Sequence, residues 1–247
     1  MLKRILQRLS FSKKEWDPAA YWRTRASDPD TMSVMWANLA YNALVDRDEW
    51  QVIADGFPAR RGAVLDLGCG TGRMSQRLAH AFDAYTGVDL DTMVAEAARR
   101  NPELADTYVA STVDTYDYPA DRFDMVLSMG CVATACTKES LPIVAANLVK
   151  TARSGGHILL VEPFHTSRLL TRGCKMLPRE VSDLFASLGA REVKRGGILF
   201  FPARMVLSEA PFAKVPRLTA AAYEAGERVV RASTIFSDYS VLLFEKA

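Results

Sequence analysis

The stretch 64–72 reads VLDLGCGTG, four residues of strand character followed by three glycines at alternate positions. Glycines at a strand-to-helix turn let backbone N–H groups approach a ligand closely, because no Cβ stands in the way. A second apolar run, TGVDL at 86–90, contains Asp89. A carboxylate about 20 residues after the loop, at the tip of the next strand, is placed to accept the hydroxyls of a ribose. The two segments predict that a nucleoside-containing cofactor binds at the carboxyl edge of a parallel sheet.

The glycine spacing narrows the choice of cofactor. A dinucleotide fold has G-x-G-x-x-G, whereas this chain has G-x-G-x-G. No Lys-Ser/Thr pair follows the loop, which excludes a Walker-type phosphate loop. Asp66 lies within the end of the first strand, and an acid beside the loop suits a ligand with an ammonium group better than a pyrophosphate, because like charges repel.

VLDLGCGTG and Asp89 resemble the first two motifs of the class I S-adenosylmethionine-dependent methyltransferases, and the resemblance extends over roughly residues 60–165. It implies S-adenosyl-L-methionine as cofactor and S-adenosyl-L-homocysteine as product. It also implies a Rossmann-like α/β fold, with a seven-stranded sheet of order 3-2-1-4-5-7-6, helices on both faces and an N-terminal helical lid. A nicotinamide-binding domain is the alternative for the glycine loop.

The resemblance also implies which residues contact the cofactor. The backbone of 68–72 would cradle the methionine portion, with Asp66 near its ammonium group and Asp89 on the ribose. The expected cofactor residues are Asp66, Gly68, Cys69, Gly70, Gly72, Asp89, Leu90, Met93, Thr112, Val113 and Met129. Similar proteins have an acid at the end of the third strand, where this chain has Ser111 or Thr112. Either a hydroxyl replaces that acid or Asp114 serves, and we favour Thr112 with Val113.

Composition limits the classes of function. The chain has 247 residues, of which 49% are hydrophobic and 24% charged, as in an ordinary globular enzyme. A net charge of +2 without a basic block in the body of the chain does not favour a nucleic-acid partner. The sequence SMGC at 128–131 lacks the Asn/Asp-Pro-Pro-Tyr/Phe motif of base amino-group methylases. Four cysteines without a C-x-x-C pair favour neither a disulfide framework nor a metal site, and indicate a cytoplasmic protein.

The N-terminal residues 2–14 place four apolar residues at helical spacing among five basic residues, without an acid. One interpretation is an amphipathic helix that contacts an anionic membrane surface. The other is a short terminal helix that is frayed or docked on the body of the protein. No apolar run approaches the roughly 20 residues of a membrane span.

Two regions are predicted along the chain. Residues 1–58 would form the helical lid segment, and residues 59–247 the methyltransferase domain, with insertions at about 163–176 and 200–235. Alternating β and α signals indicate a parallel sheet with helices on both faces. The predicted strands are 63–67, 84–89, 107–111, 123–128, 157–162, 191–200 and 239–245. The predicted helices are 73–82, 92–99, 140–152 with a stop at SGG 154–156, 178–189 and 218–231, with one or two more in 31–53.

His165 is the candidate general base, because it follows the fifth strand at the edge that faces the methyl group. A surface histidine in a mobile loop is the competing interpretation. Cys131 and Cys136 lie near the expected methyl position, but they are assigned no catalytic role. The candidate substrate-pocket residues are Tyr21, Trp22, Trp36, Arg168, Arg204 and Tyr239, with Asp238 also considered.

These features predict an enzyme that transfers a methyl group to an oxygen or nitrogen of a small-molecule acceptor. The alternatives are methylation of a lipid-linked or glycan substrate at a membrane surface, and a cofactor-binding partner subunit without catalysis. The oligomeric state cannot be read from the sequence.

Overall fold

The computed structural model describes residues 18–26, 36–167 and 174–247. The predicted helix at 2–14 and the candidate pocket residue Arg168 lie outside the described residues. The helices are α1 (Pro18–Ala26), α2 (Leu39–Asp55), α3 (Ser75–Ala81), α4 (Asp91–Arg100), α5 (Val132–Ala135), α6 (Leu141–Thr151), α7 (Pro178–Ser187), α8 (Phe201–Leu207) and α9 (Pro216–Ala232). The strands are β1 (Ala63–Leu67), β2 (Ala84–Asp89), β3 (Tyr108–Ala110), β4 (Phe123–Met129), β5 (Ala152–Glu162), β6 (Ala190–Phe200) and β7 (Ser237–Lys246).

The seven strands form one sheet in the order β3-β2-β1-β4-β5-β7-β6. The first five strands pair in parallel, whereas β7 is antiparallel to both β5 and β6. The predicted fold class and strand order are therefore confirmed. The carboxyl ends of β1, β2, β4 and β5 meet at one edge of the sheet, together with the beginning of β7.

Both faces of the sheet are covered by helices. Successive residues of β1 alternate between two cores, with Val64 in the core that α2 and α3 cover and Leu65 in the core that α6 and α7 cover. Every residue of β1 is buried, as expected for a central parallel strand. On the α7 side, the Phe185 and Phe244 rings are stacked with their centroids 4.3 Å apart. This double cover makes the sheet rigid and leaves its carboxyl edge as the place for a site.

Several predicted boundaries are wrong, each for a local reason. The helix after the glycine loop begins at Ser75 rather than at Arg73, because the chain still turns after Gly72, whose φ is +81°. The segment SGG at 154–156 does not end a helix in solvent. It belongs to β5, which begins at Ala152 directly after α6. The third strand is only three residues long.

The segment 31–53 contains one described helix, α2. The helix begins after Asn38, whose side-chain oxygen accepts hydrogen bonds from the backbone N–H groups of Ala40 and Tyr41. The Asn38 amide also donates to the carbonyl of Leu207 at the end of α8, over 2.8 Å. This contact joins the N-terminal region to the predicted insertion at 200–235, which contains α8 and α9.

No helix in residues 18–26, 36–167 or 174–247 combines the length and apolar character that crossing a lipid bilayer requires.

Candidate active site

The glycine loop leaves β1 with three positive φ angles, +86° at Gly68, +57° at Gly70 and +81° at Gly72. These are left-handed conformations that side chains rarely adopt. A Cβ on Gly68 would collide with Cys131, so the turn after β4 packs directly on the loop. A Cβ on Gly70, in contrast, would meet no atom within 4 Å. The backbone at Gly70 therefore borders open space, as a loop that receives a ligand must.

Asp89 ends β2 beside this loop. Its carboxylate accepts the N–H of Gly70 over 2.7 Å and the N–H of Leu90 over 2.7 Å. Burial raises the pKa of Asp89 above its ordinary value, although these two N–H groups lower it. The structure thus brings together the two features that the sequence singled out, Gly70 and Asp89, in one hydrogen-bonded unit.

Asp66 lies within β1, one strand position before the loop begins to turn, and it is buried. The hydroxyl of Tyr85 donates to its carboxylate over 3.1 Å. Burial raises the pKa of Asp66 to about 7, against the lowering effect of the Tyr85 hydrogen bond. A buried carboxyl group without a paired cation favours a cationic group of a ligand, which would take up this charge.

The residues expected around an adenine ring differ in exposure. Met93 is buried on α4, and Leu90 is half-buried directly before that helix. Val113 is buried in the core, whereas Thr112 is exposed, with its hydroxyl 2.8 Å from that of Thr115. Met129 is half-buried at the end of β4. These side chains lie at the carboxyl ends of β2, β3 and β4 or just after them, and their contact with a cofactor stays a prediction.

Glu162, which the sequence did not indicate, organises the turn after β4. Its buried carboxylate accepts hydrogen bonds from the Ser128 hydroxyl over 2.7 Å and from three backbone N–H groups, those of Cys131, Val132 and Ala133, over 3.0–3.1 Å. Burial raises the pKa of Glu162 to about 7, although its hydrogen-bond donors lower it. The sequence did contain a signal for this role, since Glu162 is an acid at the end of an apolar strand. A carboxylate that is buried there needs several hydrogen-bond donors around it.

A second unexpected group of charges fastens α2 to the glycine loop. Arg73, which follows Gly72, binds Asp46 over 2.5 Å and Glu49 over 2.6 Å. Arg77 on α3 binds the other oxygen of Asp46 over 2.6 Å. Both acids belong to α2 and are buried. These ion pairs hold α2 beside the glycine loop. The sequence did not predict them, because the paired residues are far apart in the chain.

The first helix, α1, contacts both α4 and α5, which flank the carboxyl edge on either side. Arg23 on α1 lies 3.4 Å from Asp91 at the start of α4. The candidate residues Tyr21 and Trp22 belong to this helix, and their rings are 5.0 Å apart. The role of α1 as a lid stays a prediction. The other described pocket candidates, Trp36, Arg204 and Tyr239, lie outside α1.

Those other residues gather where β7 begins. The buried Arg204 side chain on α8 pairs with Asp238, with Nε 2.5 Å from the carboxylate. Its guanidinium carbon lies 5.9 Å from the centre of the Trp36 ring. The Tyr239 ring is close to Gly130 at the carboxyl edge of β4, since a Cβ there would be 3.6 Å from the tyrosine hydroxyl. The structure therefore brings together Trp36, Arg204 and Tyr239, as well as Asp238.

His165 is buried, so its interpretation as an exposed surface histidine is wrong. Its Nδ1 accepts the backbone N–H of Ser167 over 3.0 Å, and its ring centre lies 6.3 Å from that of Phe201. A neutral ring in this arrangement carries its proton on Nε2, because Nδ1 accepts. The role of His165 as a base stays a prediction, and it requires that the contact with Ser167 break so that the lone pair of Nδ1 can receive the proton.

A family model described as a methyltransferase domain matches residues 64–156, which run from β1 into β5 and contain the glycine loop, Asp89 and the turn after β4. The chain therefore contains a methyltransferase domain of this family. Curated methyltransferases are similar to part of the chain. A ubiquinone biosynthesis O-methyltransferase of Proteus mirabilis (strain HI4320) is 33% identical over 110 residues, 42% of this chain and 42% of the relative. The match thus spans less than half the length of that relative.

Solved structures show the same fold over most of this chain. The N-methyltransferase NodS from Bradyrhizobium japonicum WM9, in complex with S-adenosyl-L-homocysteine, superposes with a TM-score of 0.61 at 13% identity, covering 92% of this chain and 97% of NodS. The [4+2]-cyclase SpnF superposes with a TM-score of 0.58 at 19% identity, covering 86% of each chain. The second neighbour shows that this fold also serves proteins named for other reactions.

In this methyltransferase fold, the donors and acceptors at the carboxyl edge fit an adenosyl amino acid. The open backbone at Gly70 and the carboxylate of Asp89 are adjacent, as a ribose with its neighbouring groups requires. The buried Asp66 supplies a negative charge for an ammonium group. No cluster of side chains suited to a metal ion occurs within the described part of the chain.

Proposed function

We propose that this protein transfers a methyl group from S-adenosyl-L-methionine to an oxygen atom of a small-molecule acceptor. The observation that carries the proposal is the unit formed by the left-handed Gly70 and the Asp89 carboxylate, which is bonded to the N–H of Gly70 and borders open space. The match of residues 64–156 to a methyltransferase domain supports it.

S-adenosyl-L-methionine supplies a methyl group on a sulfonium, which is already activated for transfer. The chain must therefore mainly position the reactants, and alignment contributes much of the lowering of the barrier in such reactions. Asp89 would hold the ribose and Asp66 the ammonium group, while Leu90 and Met93 flank the adenine. Glu162 holds the turn after β4 in place through four hydrogen bonds. That turn faces the glycine loop, since it packs on Gly68.

An oxygen acceptor is supported by the printed name of the Proteus mirabilis relative, which is an O-methyltransferase. A nitrogen acceptor remains the alternative that the sequence left open. A hydroxyl acceptor must lose a proton, and His165 is the residue that we propose to receive it. A His165→Ala variant that kept full turnover would remove this residue from the mechanism.

Calorimetric titration with S-adenosyl-L-homocysteine tests the cofactor. We expect micromolar affinity, and we expect Asp89→Ala to abolish binding because both the ribose contact and the bond to Gly70 are lost. The control is Asp106→Ala, which removes an exposed acid just before β3 and should leave the affinity unchanged. Heat from NAD and none from S-adenosyl-L-homocysteine would overturn the assignment.

Transfer itself needs a separate measurement, because a chain of this fold could bind the cofactor without catalysis. We propose to incubate the protein with methyl-labelled cofactor and cell extract and to follow labelled acceptors. A small-molecule partner predicts label in the low-mass fraction. Label only in the lipid fraction would favour the lipid-linked alternative, and sedimentation with liposomes, with and without residues 1–14, would then test membrane contact.

A further inference from the structure

Arg204 is a buried cation, and only some of its N–H donors have partners. The side chain is 6% exposed. Its Nε lies 2.5 Å from Asp238, and its Nη2 lies 3.3 Å from the same carboxylate and 3.4 Å from the Met205 sulfur. Within the described part of the chain, Nη1 has no hydrogen-bond or ion-pair partner. A guanidinium carries five N–H donors, so the protons of Nη1 remain to be donated.

Aromatic side chains flank this guanidinium. Its central carbon lies 5.5 Å from the centre of the Phe201 ring and 5.9 Å from that of Trp36. The centre of the His165 ring lies 6.3 Å from that of Phe201. Asp238 holds the other edge of Arg204 and directly precedes Tyr239, whose ring adjoins Gly130 at the end of β4. The guanidinium of Arg204 therefore has aromatic neighbours. Its partner Asp238 belongs to β7, the strand whose Tyr239 lies at the edge where the methyl group is expected.

Two buried carboxyl groups, Asp238 and Glu227, lie in the region of Arg204. Asp238 neutralises the guanidinium directly, and a second buried carboxyl group, Glu227, accepts the N–H groups of Leu199 and Phe200 just before α8. Arg204, Asp238 and Glu227 all act electrostatically on the buried Tyr41 hydroxyl, so they share one region. A further anion at Nη1 would lie beside the carboxylate of Asp238, and like charges repel strongly where water is excluded.

We propose that Nη1 of Arg204 binds a neutral oxygen, such as a ketone or quinone carbonyl, of a planar acceptor molecule, and that a carboxylate in its place is disfavoured. This inference rests on the proposed function and specifies its substrate class. Arg204 is a specificity-determining residue in this account, and Asp238 is a positioning residue that fixes the guanidinium. The rings of Trp36 and Phe201 supply apolar contact for a planar molecule.

Three probes of similar size test the proposal on the full chain saturated with S-adenosyl-L-homocysteine. They are 4-hydroxyacetophenone, which has a neutral carbonyl, 4-ethylphenol, which lacks it, and 4-hydroxybenzoate, which has a carboxylate. We expect the ketone to bind about tenfold more tightly than either of the others, since a hydrogen bond from a charged donor contributes about this much. Ligand-observed NMR titration measures the dissociation constants.

Variants then assign the preference to Arg204. The double variant Arg204→Met, Asp238→Asn removes both charges of the pair and keeps hydrogen-bonding atoms at position 238, so that no charge of the pair is left alone. It should bind the ketone and 4-ethylphenol within about twofold of each other. Arg204→Lys keeps the charge without the fork of donors and should lose part of the preference. Arg217→Met, an exposed arginine on α9, is the control that should behave as the wild type.

The outcomes separate this inference from the proposed function. Absence of S-adenosyl-L-homocysteine binding by the wild type overturns the proposed function and this inference with it. Normal binding of that compound with equal affinity for the ketone and 4-ethylphenol overturns only the role of Arg204. Tighter binding of 4-hydroxybenzoate than of the ketone overturns the preference for a neutral acceptor, and a preference that persists in the double variant assigns it to another residue.

Discussion

Asp66 is the residue whose charge should change most when the cofactor binds. Its carboxyl group is buried, and burial raises its pKa to about 7. Roughly one molecule in eleven then has Asp66 ionised at pH 6, and roughly ten in eleven at pH 8. If the ammonium group of the ligand requires the ionised form, the apparent affinity for S-adenosyl-L-homocysteine rises about tenfold between these two pH values.

The sign of this dependence follows from linkage. The pKa of Asp66 is raised in the folded protein without ligand, and a cation beside it lowers the pKa again. Binding therefore releases a proton, about half a proton per site at pH 7 and progressively less as the pH rises above 8. Calorimetry in two buffers of different ionisation enthalpy measures the number of protons released directly.

The control is Asp66→Asn, in which the amide oxygen can still accept the hydrogen bond of Tyr85. This variant should bind more weakly at pH 8 and should show a flat profile from pH 6 to pH 8. It also reports any titration of the ligand itself. A flat profile in the wild type, or the same slope in both proteins, would refute the assignment of the ammonium contact to Asp66.

Two further predictions concern the frame of the site. Glu162→Gln should lower the free energy of unfolding by about 2 kcal/mol in urea denaturation, because an amide N–H₂ would face a backbone N–H that now donates to a carboxylate; an unchanged midpoint would count against the hydrogen-bonded turn. Gly68→Ala should destabilise by about 3 kcal/mol or more, since its Cβ would collide with Cys131. Gly70→Ala, where space is open, should lower the free energy of unfolding by only about 1 kcal/mol, yet it should abolish binding of S-adenosyl-L-homocysteine. Equal losses of stability in the two glycine variants would contradict this distinction.

The parts of the fold that depend on local pattern were predictable from the sequence. The glycine loop, Asp89 and the apolar strands β1 and β2 carry strong signals within a few residues, and their bounds agree with the structure. The strand order followed from the family resemblance, because alternating elements alone allow several orders. The extension of β5 back to Ala152 was not predictable, since SGG at 154–156 is typical of a turn and only pairing with β4 draws it into the sheet.

The polar contacts of the site depend on residues that are far apart in the chain. Arg73 meets Asp46 and Glu49 from 27 and 24 residues away, and Glu162 reaches back more than 28 residues to the turn after β4. No periodicity in the sequence encodes such pairs, because they arise only when the sheet brings the elements together. Arg204 was predicted as a pocket residue, but its pairing with Asp238 across 34 residues shows which of its donors remain.

These buried charges explain how loops at a sheet edge can hold a reactive geometry. A buried ion pair contributes little net stability, because the loss of hydration offsets most of the attraction. Its geometry is nevertheless strict, since a displaced partner leaves a charge unsatisfied. Arg73 fixes the loop to α2, Glu162 fixes the turn after β4, and Asp238 fixes Arg204. Each contact therefore restricts the position of a loop or side chain more than it stabilises the fold. A substitution such as Arg73→Lys keeps the charge but moves the charged atom. It should impair cofactor binding more than it lowers the unfolding midpoint.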